Sequence, residues 1–174
     1  HIAWHAALSA LEQGDAQAAM DRYVHDVAPR VSSGTPLNIV SDSASFLWRL
    51  KAYGHHVPAG LWREATEFAA QHFHAPGFPL ADVHMTMIAA ATGNNAAGLL
   101  RAEALEGLVR NSRLPAGFGA PALCRAVLAF GEENYAACAR ILEGCRSETV
   151  RIGGSGAQRD VIEETLLLSL MKMS

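Results

Sequence analysis

A chain of 174 residues, 50% hydrophobic and 18% charged, has the composition of a packed protein and not of a disordered one. Its formal net charge of −3 and pI near 6.2 create no general attraction for a phosphate backbone, so nucleic acid is not an expected partner. No apolar run approaches the ~20 residues that a membrane span requires, and no membrane partner is expected.

Taken in chain order, the pattern predicts helices near 2–13, 15–28, 41–53, 59–74, 81–92, 95–111, 120–131, 134–148 and 155–173, and strands nowhere. The chain opens in a helical pattern without a methionine and reads as part of a longer protein. All seven prolines (Pro29, Pro36, Pro58, Pro76, Pro79, Pro115 and Pro121) fall in proposed loops or first turns, where a missing amide donor costs least. Longer connections at 29–40 and 112–119 separate helices that are otherwise joined by short turns.

Four of those short turns are alike. "LEQGDAQAA", "KAYGHHVPA", "AATGNNAAG" and "LAFGEENYA" centre on Gly14, Gly54, Gly93 and Gly131, at spacings of 40, 39 and 38 residues. A glycine that ends one apolar helix just before another begins is the signature of a helix hairpin. The predicted fold is therefore all-α: an alpha solenoid of about four antiparallel hairpins (1–28, 41–74, 81–111 and 120–148) plus a terminal helix, 155–173, in a single domain.

The hairpin "AWHAALSALEQGDAQAAMDRY" looks like a degenerate tetratricopeptide repeat, with Ala7 at the small position, Gly14-Asp15 at the turn, and Ala19 and Tyr23 on the second helix. "GEENYAACARIL" repeats the turn-Tyr-x-x-small pattern through Tyr135 and Cys138. Together with the blocks "HIAWHAAL", "DSASFLWRL", "DVHMTM" and "RIGGSGAQRD", in that order, the chain resembles the tetratricopeptide-repeat family of proteins similar to tetratricopeptide repeat protein thirty-eight. The resemblance implies a cytosolic, right-handed superhelix of helical repeats without an established reaction.

The glycine-rich "RIGGSGAQRD" at 151–160 invites comparison with a phosphate-binding loop. It follows no strand, lacks the Lys-Ser/Thr pair, and has Arg159 where GxGxxG needs its last glycine. Ser155 and Gln158 instead form the S-x-x-Q of a capping box, so the segment is read as a helix entrance.

The candidate ligand or groove residues are polar or aromatic positions on the first helix of each pair: His5, Asp42, Trp48, Arg49, Asp82, His84, Gln158, Arg159 and Asp160. Two readings compete for them. In one they line a concave groove in which Arg49 and Arg159 hold carboxylates; in the other the arginines pair with Asp42, Asp82 or Asp160 and fix the rotation between repeats.

No catalytic residue is assigned, since there is no GxSxG elbow and the three cysteines, Cys124, Cys138 and Cys145, lie at core-like positions of helices. Without a CxxC pair they suggest neither a disulfide framework nor a zinc site, and they fit a reducing, cytoplasmic compartment. His1 and His5 share a helix face but lack a third ligand at metal-site spacing, so neither a metal nor a cofactor is expected. The leading expectation is a non-enzymatic scaffold that binds a protein segment or peptide on its concave surface, with a homodimer through the apolar terminal helices also in view. The alternative is an enzyme or small-molecule binder with a pocket built from His5, Asp82, His84 and Arg159.

Overall fold

Nine α-helices form and no strand does, in a computed structural model that describes residues 1–174. In chain order they are α1 (Ile2–Glu12), α2 (Ala16–Arg22), α3 (Pro36–Ala52), α4 (Ala59–His72), α5 (Pro79–Ala91), α6 (Asn95–Arg110), α7 (Gly119–Gly131), α8 (Tyr135–Cys145) and α9 (Gly156–Met173). A π-helical turn, Tyr23–Val27, prolongs α2, and a 3-10 segment, Arg146–Ile152, follows α8. None of the helices is long and apolar enough to cross a membrane.

Local chemistry accounts for most helix starts. Asp15, Thr35, Asn94, Asn134 and Ser155 each accept a hydrogen bond from the backbone amide three residues on, which satisfies a donor left orphaned by the helix. Ser155 and Gln158 complete the predicted capping box, with the Ser155 amide donating to Gln158 Oε1 at 2.9 Å. Helix α3 begins five residues earlier than the 41–53 expected from sequence, because Thr35 caps it and Pro36 occupies its first position, where proline's fixed φ suits a helix. The helix predicted at 134–148 stops at Cys145 and tightens into the 3-10 segment.

Three of the four repeated glycines adopt the left-handed conformation predicted for them: Gly14 (φ 83°), Gly54 (φ 89°) and Gly93 (φ 74°). Gly131 does not. It ends α7, and the left-handed position of that turn is taken two residues later by Glu133 (φ 60°). A Cβ on Gly131 would lie 2.8 Å from Ala90 Cβ and 3.2 Å from Ala90 O, so this glycine serves the close approach of α7 to α5. Counted by left-handed residue, the turns fall at 14, 54, 93 and 133, spacings of 40, 39 and 40.

Each helix packs against its hairpin partner, and the first helices also pack on one another in succession: α1 on α3, α3 on α5, α5 on α7 and α7 on α9. The second helices fill the seams outside, α4 against α3 and α5, α6 against α5 and α7, α8 against α7 and α9. Two apolar clusters result, one centred on Trp4, Tyr23, Phe46, Leu47 and Trp62, the other on Met87, Leu105, Leu123, Val127 and Leu142, and both draw residues from α5. Tyr23 stacks on Phe46 with ring centroids 5.0 Å apart and planes 6° from parallel, which ties the first hairpin to the second.

One contact departs from simple succession: α9 also packs against α3. Val161, Ile162 and Leu166 of α9 are buried, while Leu167, Leu170 and Met171 remain exposed on the face where the sequence suggests a homodimer contact.

Candidate functional site

The polar residues singled out on the first helices occupy two different kinds of place. Asp42, Trp48, Arg49, Asp82, His84 and Gln158 are buried, Arg159 is half-buried, and His5 and Asp160 are exposed.

Asp42, Arg49, Trp48 and Gln158 are engaged across the α3–α9 contact. Gln158 Nε2 donates to Asp42 Oδ1 and to Ser41 Oγ, both at 2.8 Å. Arg49 holds the Glu164 carboxylate with two donors, Nε at 2.7 Å and Nη2 at 2.9 Å, and Nη2 also donates to the Ala157 carbonyl at 3.1 Å. Tyr53 donates its hydroxyl to the same carboxylate at 2.8 Å, and Trp48 Nε1 donates to Thr165 Oγ1 at 3.0 Å. Arg49 is thus no free groove anchor, and its acid partner is Glu164 instead of the Asp42, Asp82 or Asp160 considered from sequence. The seven-residue spacing of Asp42 and Arg49 on α3 and of Gln158 and Thr165 on α9 is the signal that could have matched these two faces.

Asp82 looks elsewhere. It accepts from the Gly77 amide at 3.0 Å and pairs with Arg101 of α6, while Arg101 Nη2 donates to the Phe73 carbonyl at 2.9 Å. Burial pushes the carboxyl of Asp82 up, against the pull of those two donors, and burial likewise raises Asp42 against its Gln158 hydrogen bond.

His84 is fully buried; Nδ1 donates to the Leu80 carbonyl at 2.7 Å, and Nε2 makes no hydrogen bond. Burial lowers its pKa to about 4, leaving a neutral ring at ordinary pH. Arg159 turns back to the Gly153 carbonyl at 3.2 Å and to that of Gly154, bracing the glycine-rich entrance of α9. His5 packs edge-on against Trp4 and His1, with ring centroids 4.9 and 4.7 Å apart. No hydrogen bond or ion pair joins any two of His5, Asp82, His84 and Arg159. No group of three or more His, Cys, Asp or Glu residues is arranged to hold a metal ion.

Open space lies at the turn ends of the hairpins. The largest depression, about 660 Å³, is bordered by Lys51, His55, His56, Trp62, Arg63 and Glu67. Through Lys51 and Ala91 it meets a second, about 160 Å³, with Trp48, Phe130, Tyr135 and Lys172 in its wall. Through His55 and His56 it meets a third, about 450 Å³, beside Ala16, Gln17 and Met20. The sequence treats Lys51, His55 and His56 only as turn residues. They belong to one turn, at the end of α3; what stacking adds is their neighbourhood, with Ala16 and Met20 of α2 on one side and Ala91 of α5 and Lys172 of α9 on the other.

Compared with known proteins, the chain matches no family model and no solved structure.

Proposed function

We propose that this chain is a non-enzymatic, tetratricopeptide-like alpha solenoid, a right-handed superhelix of four hairpins and a terminal helix, that binds an extended protein segment. The observation carrying this reading is the linked row of depressions along the turn edge, from Ala16 past His55 and Lys51 to Lys172. A linear depression spanning several repeats suits a linear ligand, and a surface preformed by helix packing spares much of the ordering cost of binding. The site is placed along the turns and not on the inner faces of the first helices, because α9 packs against α3 and their polar side chains hold one another.

The reading with a pocket of His5, Asp82, His84 and Arg159 has less support, since Asp82 and Arg159 are taken up by Arg101 and by backbone carbonyls. A selection from a random peptide display library tests the scaffold reading. It should enrich peptides that lose binding when Thr66, on the wall of the largest depression, is changed to Arg. Enrichment of nothing, or of peptides indifferent to that block, would sink it.

A further inference from the structure

We infer that the segment bound at the turn edge is acidic and interspersed with apolar residues; this rests on the scaffold reading above. The chain contains two lysines, Lys51 and Lys172, and both border the linked depressions. Arg63 borders the largest of them, and none of these three cations forms an ion pair, whereas six other arginines do. Lys51 Nζ donates to the Ala91 carbonyl and so is fixed on the lip shared by two depressions, with donors to spare. Lys172 sits over the Tyr135 ring, its Nζ 5.3 Å from the centroid.

Three positive charges, with His55 and His56 beside them, share the lining of the depressions with two carboxylates, Glu67 and Glu133. The lining of the three depressions therefore carries a net charge of +1 on a chain whose net charge is −3. An acidic partner is repelled by the molecule as a whole and admitted here, an arrangement that gives orientation as well as attraction. The aromatic walls supply the other half of the recognition: Trp62 in the largest depression, and Trp48, Phe130 and Tyr135 in its neighbour. They are suited to apolar side chains placed between the carboxylates.

Fluorescence anisotropy with three short synthetic peptides of one pattern tests this: glutamate with leucine, its glutamine isostere, and a lysine counterpart, alongside a single-stranded oligonucleotide. The glutamate peptide should bind, and Arg63→Glu should weaken it about two- to fivefold, the scale of one exposed charge contact. Lys51→Gln should weaken it less, and Arg110→Glu, at the far end of α6, should leave it unchanged. Equal binding of the glutamine peptide would overturn the acidic assignment while leaving the scaffold reading in place. Equal binding of the oligonucleotide would reveal an unselective polyanion surface and overturn it too. If no peptide binds, the acidic assignment falls, and the display selection separately decides whether the scaffold reading falls with it.

Discussion

Arg49 of α3 grips Glu164 of α9 through Nε and Nη2, at 2.7 and 2.9 Å, across 115 residues of chain. The guanidinium is buried and the carboxylate is 28% exposed, so the pair is partly sheltered from water. A planar two-donor fork fits a carboxylate in a way that a single ammonium does not.

Arg49→Ala should therefore destabilise the fold by about 2–3 kcal/mol, the scale of hydrogen bonds to a charged group. Arg49→Lys should recover only a minor part, because one ammonium cannot reach both carboxylate oxygens and the Ala157 carbonyl. Guanidinium unfolding followed by circular dichroism measures both. A lysine variant as stable as the parent would reduce the contact to simple charge attraction.

The fourth turn yields two predictions of opposite sign. Glu133→Gly should stabilise the protein by about 1 kcal/mol, since it removes a side chain from a left-handed conformation. Gly131→Ala should destabilise it by about 1–3 kcal/mol, because the new methyl meets Ala90 at 2.8 Å. Thermal melts of the two variants should move in opposite directions; a shared direction would refute the assignment of roles.

Burial of His84 makes stability depend on pH. Its pKa is lowered to about 4 from the ordinary histidine value of 6.5, so the unfolded chain binds the proton more readily between those values. The stabilisation is present above about 6.5 and drains away as pH falls towards 4, by an amount of order 3 kcal/mol. Asp42 and Asp82, whose pKa values are raised by burial, act in the other direction, since the folded state holds their protons more firmly. Chemical unfolding at pH 7, 5.5 and 4.5 should show a steeper acid loss in the parent than in His84→Gln. Parallel losses would mean that His84 is not the titrating group.

The three thiols should be silent in the folded protein. Burial pushes Cys124 up to about 12 and Cys138 to about 11, and raises Cys145 as well. A disulfide-exchange reagent should label none of them until denaturant is added, then all three. Fast labelling of one under native conditions would show that its helix opens locally.

Helix content and the hairpin order were readable because caps, glycines and prolines act locally: Asp15, Asn94 and Ser155 each mark a helix start with a single side chain. Gly131 misled because the same residue type serves two purposes, a left-handed turn or a close helix approach, and only its distance from Ala90 separates them. Among the polar candidates, the residue types were visible and the partners were not. Arg49 meets Glu164, and Asp82 meets Arg101, through packing between helices that no local spacing encodes. Lys51, His55 and His56 went unnoticed for a related reason, since their one turn meets Ala16 and Met20 of α2, Ala91 of α5 and Lys172 of α9 only when the helices are stacked.

The seating of α9 against α3 also bears on how the molecule comes apart. An array whose units touch only their neighbours unravels from its ends, each unit opening with its own free energy. Here Gln158, Glu164 and Thr165 reach back to Ser41, Asp42, Arg49 and Trp48, so a late element closes on an early one. Loss of the last helix strips Ser41, Trp48 and Arg49 of α3 of their α9 partners, and fraying at one end is felt near the other. Such long-range closure raises contact order, which slows folding and joins the hairpins into one cooperative unit.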